Sequence, residues 1–382
     1  MISPWYGQPN QRRRHRVQFS TFLLAVVGAL VISGVLIAPQ SAVADRAHPL
    51  TQIPHFAVGL ERCTFVDHTR PVINYSTTPF TVLSASRTLV TEIRYPTQLL
   101  VSGSREWAGA PPVEKIGGYP LIVFAHGYDV TPDKYAALLD SWARAGFVVV
   151  APLFPEENPS AVAAQHGTNT EWDLVNEPAD LAFVTKAVLQ ASTSDTTSCP
   201  IVHGLVQTSQ IALAGHSDGA TAVGMLAYDL GNDPQGVTYA SLRIGVHYRA
   251  VIILSGIENT AQPYGTEAGR PALLVVNSLT DQCVPISNVV RLYDAIHQPN
   301  RWFLELLTAH HLPPFDGADA SAFSVVATTS IRFLQLSLQG MSPSTSLIAL
   351  GNGQPAVARM YNNEPGPTLN NAPRLVESCG PN

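Results

Sequence analysis

Six short runs in this chain are almost wholly aliphatic or aromatic, and segments with helical spacing separate most of them. The runs are 120–125 (PLIVFA), 147–152 (FVVVAP), 209–215 (SQIALAG), 249–256 (RAVIILSG), 271–278 (PALLVVNS) and 301–307 (RWFLELL). An exposed strand alternates apolar and polar residues, whereas a continuous apolar run fits a strand covered on both faces. The intervening segments 132–146, 177–191, 217–230, 287–297 and 321–338 repeat their apolar residues at helical spacing, with Gly146 as a stop and Pro178 in a first turn. Strands and helices in alternation predict an α/β fold, with a mostly parallel central sheet flanked by helices. The segment 88–96 (TLVTEIRYP) adds a further strand, and residues 45–86 are expected to add one or two more.

The chain divides into three parts. Residues 1–44 read as export machinery: Arg12, Arg13, Arg14 and Arg16 precede 19–38, which holds no charged residue, and Ala42-Val43-Ala44 offers a small-x-small cleavage pattern. The apolar run is about as long as a bilayer is thick. A cleaved signal peptide and a retained membrane tether through 19–38 both fit, and either puts the remainder outside the cytoplasm, secreted or anchored to the outer face of the membrane. Residues 45–340 form the α/β domain. Residues 341–382 are rich in Pro, Gly and Asn and read as an irregular tail, tethered by Cys379. Without its first 44 residues the chain keeps 18 basic against 28 acidic residues, a net charge of −10, so nothing points to a nucleic-acid partner. Cys63, Cys199, Cys283 and Cys379 form no CxxC pair, and an even number in an exported chain predicts two disulfides with three pairings open.

The sharpest local signal is Gly215-His216-Ser217-Asp218-Gly219, a G-x-S-x-G sequence between an apolar run and a helix rich in small residues. Strand, sharp turn and helix in that order are the setting of a nucleophile elbow. A serine hydroxyl needs a base to take its proton, and the base needs an orienting acid. In this chain order the acid follows the serine and the histidine comes last. Asp281 and Glu258 each follow a strand; Asp281 is favoured, because a short carboxylate on a tight turn is easier to hold still. Three histidines remain: His297 at a helix end, and His310 and His311 beyond the strand 301–307. Spacing alone does not separate the last two. The elbow also predicts one oxyanion donor, the backbone N–H of Asp218, whose carboxylate is expected to turn away toward the helix N-terminus. His126 and His216 read as packing and hydrogen-bonding residues around the strand ends. Phe154 and Trp172, in the long connection 152–179, fit either the wall of an apolar cleft or the core.

From about Arg87 to Leu338 the chain resembles the secreted bacterial branch of the α/β-hydrolase superfamily, near its dienelactone-hydrolase-like, chlorophyllase-like and cutinase-like (polyester hydrolase) groups. Residues 93–96 (IRYP), 125–129 (AHGYD), 142–152 (WARAGFVVVAP), the elbow and the Asp281 and His311 loops carry the likeness. It implies His311 as the base, since His311-Leu312-Pro313-Pro314 matches the family pattern, and the backbone of Tyr128 as the second oxyanion donor, with the Tyr128 ring beside the acyl site. Asp218 stands where the polyester hydrolases carry Met, which separates the chain from that group more than from esterases at large. The connection Ser255–Arg270 is too short for a large cap domain. The resemblance implies an exported serine hydrolase acting on carboxylic esters, lipid or polymeric ones included, and the sequence, with no metal-ligand cluster, leaves no case for a cofactor or metal. An envelope acyltransferase using the same three residues, or a non-catalytic envelope protein keeping the fold, are the alternatives.

Overall fold

A computed structural model describes residues 56–75, 77–98, 106–165, 171–194, 198–228, 231–256, 270–341 and 345–367. The leader, Glu258 and Cys379 lie outside the described residues. Twelve strands occur among those residues: β1 (Ala57–Asp67), β2 (Val72–Asn74), β3 (Thr81–Ser84), β4 (Arg87–Thr97), β5 (Glu106–Ala108), β6 (Tyr119–Ala125), β7 (Val148–Pro152), β8 (Val206–His216), β9 (Tyr248–Leu254), β10 (Ala272–Ser278), β11 (Arg301–Leu306) and β12 (Ala358–Asn362). The α-helices are α1 (Ala136–Arg144), α2 (Pro159–Ala164), α3 (Glu177–Thr193), α4 (Asp218–Tyr228), α5 (Tyr239–Leu242), α6 (Ile286–Ala295), α7 (Pro313–Asp316), α8 (Ala320–Gln339) and α9 (Thr345–Gly351).

Ten strands form one sheet in the order β12-β11-β10-β9-β8-β6-β7-β4-β1-β5, and β2 pairs with β3 as a separate ribbon. The run from β11 to β7 is parallel throughout. These are the strands with continuous apolar sequences, and β6, β7, β10 and β11 are buried over nearly their whole length. Strands β4 and β1 join antiparallel on one side and β12 on the other. Helices α3, α4 and α6 cover one face, through residues such as Leu181, Val184, Val223, Leu226 and Val289. Helices α1 and α8 cover the other, through Leu138, Trp142, Val326, Phe333 and Leu334. Each such side chain contributes about 1.5–3 kcal/mol on full burial. Trp142 lays its ring in that layer because its indole N–H finds Ser330 Oγ at 2.9 Å.

The register aligns the strand ends. Ala125 stands beside Gly215, Gly215 beside Ile253, Leu254 beside Val276, and Ser278 beside Leu306. The loops after β6, β8, β10 and β11 therefore leave from one edge of the sheet, where ligands of open α/β sheets bind.

Two buried devices tie the outer strands to this core. Arg87, wholly buried at the start of β4, bonds Asp173 and Asp180 in paired fashion at 2.7–3.1 Å, and Arg70 bridges Asp67 and Asp180. The Cys63–Cys199 disulfide links β1 to the turn beyond α3, closing a sequence separation of 136 residues. Cys283 is disulfide-bonded as well.

Two expectations need correcting. Residues 45–86 contribute three strands rather than one or two, because β1 pairs along its whole length with β4 and the ribbon β2–β3 follows it. The tail beyond 340 is not irregular throughout. It supplies α9 and then β12, which satisfies the otherwise open edge of β11 and buries Ala358 and Met360.

Candidate active site

Ser217 sits between β8 and α4 with φ of +55°, a left-handed conformation that non-glycine residues rarely adopt. The glycines around it explain how the turn stays so tight. A Cβ on Gly215 would lie 2.4 Å from the Gly219 carbonyl oxygen, and one on Gly219 would lie 2.3 Å from that of His126. The Ser217 N–H bonds the Leu254 carbonyl at the end of β9, and its carbonyl accepts the Thr221 N–H inside α4.

The Ser217 hydroxyl lies 3.0 Å from His311 Nε2, and His311 Nδ1 lies 2.9 and 3.1 Å from the two oxygens of Asp281. Asp281 is buried, and its Oδ1 also accepts the N–H groups of Cys283 and Val284 at 2.9 Å. Those bonds fix the carboxylate on its turn. Thr280 donates its hydroxyl to the Ala309 carbonyl at 2.9 Å, which joins the Asp281 loop to the His311 loop. His310 is exposed beside this constellation, and His297 is exposed beyond α6.

Asp281, Cys283 and His311 bring three donor atoms within 4.8 Å of one another. They do not suit a metal ion, because the Cys283 sulfur is held in a disulfide and has no thiolate to offer.

The loop after β6 faces the same spot. Gly127 passes so close to the elbow that a Cβ there would meet Ser217 Cβ at 3.0 Å. His126, wholly buried, has its Nδ1 2.8 Å from the Gly127 carbonyl and its Nε2 3.0 Å from the Phe154 N–H. A carbonyl can only accept and an N–H can only donate, so the proton is on Nδ1 and the ring is neutral. Burial lowers its pKa to about 4, consistent with that state. Because a trans peptide points its C=O and N–H in opposite directions, pinning the Gly127 carbonyl aims the Tyr128 N–H away from His126. The Asp129 N–H, bonded to the Glu157 carbonyl at 2.9 Å, anchors the far side of the loop. Asp218 opens α4, where its N–H has no helical acceptor.

The two aromatic residues of 152–179 differ. Phe154 is wholly buried, with its ring 4.8 Å from that of His126, so it backs the β6 loop and does not line a cleft. The chain turns inward after β7, which the continuous run could not reveal. Trp172 is half-buried, on a short 3₁₀ turn (Glu171–Asn176), edge-on to Tyr75 at 5.9 Å. Tyr128 is half-buried.

Sequence reasoning missed the acid group behind the elbow. The Glu157 and Glu177 side chains are wholly buried near each other, and none of their four carboxyl oxygens has a hydrogen-bond partner, a setting that disfavours charge on both. Burial pushes both well above the usual carboxylate range, and each also feels the charge of Asp218. Asp218 itself is pushed up to about 7, by burial first and then by Glu171. Its carboxyl is thus turned into a cluster of acids. Only the count of acidic residues in 152–179 hinted at this, and such residues usually face solvent.

A chlorophyllase family model matches residues 110–251, which spans β6 to β9 and includes the β6 loop and the elbow but neither Asp281 nor His311. A type 0 chlorophyllase from Chenopodium album is 30% identical over 138 residues, covering 35% of this chain and 35% of that protein. The chain therefore aligns with about a third of that relative's length. A ferulic acid esterase from Streptomyces cinnamoneus superposes over 78% of this chain and 94% of its own, with a TM-score of 0.56 at 18% identity. The chain has the α/β-hydrolase fold. It carries the mostly parallel sheet and elbow of that fold, extended by β12 at one edge and by β1 and β5 at the other.

Proposed function

We propose that this α/β-hydrolase is an exported serine esterase that cleaves carboxylic esters through an acyl-enzyme. The observation that carries the reading is the unbroken hydrogen-bond chain Ser217 Oγ–His311 Nε2 and His311 Nδ1–Asp281, at 3.0 and 2.9 Å. In this reading His311 takes the Ser217 proton as the oxygen attacks the ester carbonyl. Asp281 keeps the proton on Nδ1 in the resting ring and stabilises the imidazolium that forms. The N–H groups of Tyr128 and Asp218 receive the oxyanion, and a missing donor typically costs about 3–4 kcal/mol of barrier. His311 then protonates the leaving alcohol. A water, deprotonated by the same ring, releases the acid and restores Ser217.

The names of the relatives make chlorophyll and feruloyl esters the first natural candidates, beside short-chain, long-chain and polymeric esters. Export is supported by Arg12–Arg16 and the uncharged stretch behind them. Ser217→Ala should lower kcat on p-nitrophenyl esters by about 10⁴-fold or more and abolish labelling by a fluorophosphonate; a variant that keeps its rate excludes the mechanism.

A further inference from the structure

His216 precedes Ser217 in the elbow, and its ring is buried 4.5 Å, centre to centre, from that of His311. Its Nε2 lies 3.1 Å from the His311 carbonyl oxygen, and its Nδ1 lies 2.8 Å from the Tyr135 hydroxyl. The Tyr135 oxygen in turn lies 3.2 Å from the Gly127 N–H. These contacts admit one arrangement of protons. The His311 carbonyl only accepts, so His216 Nε2 carries hydrogen. The neutral ring then has a bare Nδ1, which accepts the Tyr135 O–H, and the Tyr135 oxygen accepts from Gly127. The chain of donors runs Gly127 N–H, Tyr135 O–H, His216 Nε2–H, and ends on the backbone of His311.

We propose that His216, oriented by Tyr135, is a positioning residue that holds the His311 loop in register with Ser217 and locks it to the loop after β6. The proposal rests on His311 being the base. Asp281 and the Ser217 hydroxyl hold the two ring nitrogens of His311 but not the backbone that carries the ring. The bond to the His311 carbonyl fixes the backbone from which the ring projects, on a connection between β11 and α7 that has no regular structure until Pro313. The Phe315 ring packs against His216 at 4.9 Å, centre to centre. The ring must also stay uncharged, because a cation forms on His311 during each half-reaction. Burial, and then the neighbouring His311, push the His216 pKa well below the ordinary histidine value. A histidine that merely fills space would need neither the Tyr135 contact nor the fixed tautomer.

The test uses the full chain and four variants. Gln at 216 keeps a donor near the Nε2 position; Asn keeps only the acceptor near Nδ1; Phe keeps the volume alone. On a p-nitrophenyl ester, with active sites titrated, folded His216→Asn and His216→Phe should lose about 10- to 100-fold in kcat, the scale of a 1 Å misplacement, while KM changes by less than about 3-fold. His216→Gln should regain most of the loss, and Tyr135→Phe should fall between Gln and Asn. Wild-type kcat in folded His216→Asn or His216→Phe overturns the proposal, and so does a loss confined to KM or one that Gln does not relieve. Should the His216 variants not fold, ¹⁵N NMR of the wild-type imidazoles decides: the Nε2–H tautomer at His216 is expected, and the Nδ1–H tautomer overturns it. These outcomes are separate from the fate of the esterase reading, which falls only if Ser217→Ala keeps its turnover or its fluorophosphonate labelling.

Discussion

Ser217 holds its +55° backbone only because residues around it yield no space to anything else, and its two neighbouring glycines differ sharply from a third in the same helix. A methyl group on Gly219 would press against backbone oxygens of Ala125 and His126, so Gly219→Ala must push β6 and its loop away from the elbow. Gly224, one turn further along α4, has only the tip of Ile253 at 3.7 Å, an ordinary contact. Gly224→Ala should therefore stabilise the chain by about 0.5–1 kcal/mol with activity kept, while Gly219→Ala abolishes ester turnover and lowers the melting temperature. Paired thermal melts and rates check both, and equal behaviour of the two variants contradicts the account. Asp281 illustrates a different dependence. Asp281→Asn keeps the volume but offers an N–H where His311 Nδ1 needs an acceptor. The expected loss is about 10⁴-fold in kcat, as for a misoriented base, with KM little changed; a loss under about tenfold would show that Asp281 does not steer the ring.

Among the elements, Arg87 does for β4 what hydrophobic burial does for the central strands. It is enclosed between Asp173 and Asp180 with no solvent contact. Arg87→Met leaves buried Asp173 without a cation and Asp180 with Arg70 alone, and should cost about 3–5 kcal/mol, read as a fall in the denaturant midpoint; an unchanged midpoint would mean the acids find other partners. The elements also divide by how far the sequence exposes them. The central strands were legible because each is covered on both faces, so burial writes a continuous Val/Ile/Leu run into the chain. Strand β1 was not, since Arg62 and Thr64 are exposed along it and its partner β4 lies about thirty residues away in sequence. Strand β12, with Arg359 exposed, is a strand because β11 presents an unsatisfied edge, a condition absent from its own five residues. The same division holds at the site. Ser217, Asp281 and His311 follow strand ends that the runs announce, and the three side chains lie within hydrogen-bond reach of one another. The Tyr135–His216 contact joins residues 81 apart, and Tyr135, at the start of a helical segment, reads only as core. Phe154 stays open between cleft wall and core in the sequence because nothing local distinguishes an aromatic residue behind a loop from one in front of it.

Over the whole molecule the buried ionisable groups set how stability follows pH. Burial raises Asp140 and Asp218 to about 7, and holds Glu157 and Glu177 well above their usual range. An acid whose folded pKa exceeds its unfolded value makes the fold bind more protons, so stability is lost as pH rises through that interval. His126 and His216, depressed by burial, act oppositely, but only below the ordinary histidine pKa of about 6.5. Between about pH 6.5 and 8.5 the acids govern, and the melting temperature should fall as pH rises. Glu157→Gln keeps the side-chain volume near Glu177 while removing one charge, and should raise the melting temperature at pH 8 more than at pH 6.5, by about 2 °C for each kcal/mol relieved. A melting temperature that climbs across this interval in the wild type would contradict the assignment. The acids behind the elbow bear on turnover too. In the proposed reaction ester cleavage turns a neutral reactant into an anion, and behind the elbow lie Asp218, Glu157, Glu177 and Glu171 in a chain of net charge −6. Once those groups ionise they repel the freshly cut acid and are indifferent to the next uncharged ester. Within that proposed reaction this charge would speed departure of the acid product and turn the same acid away from the reverse condensation.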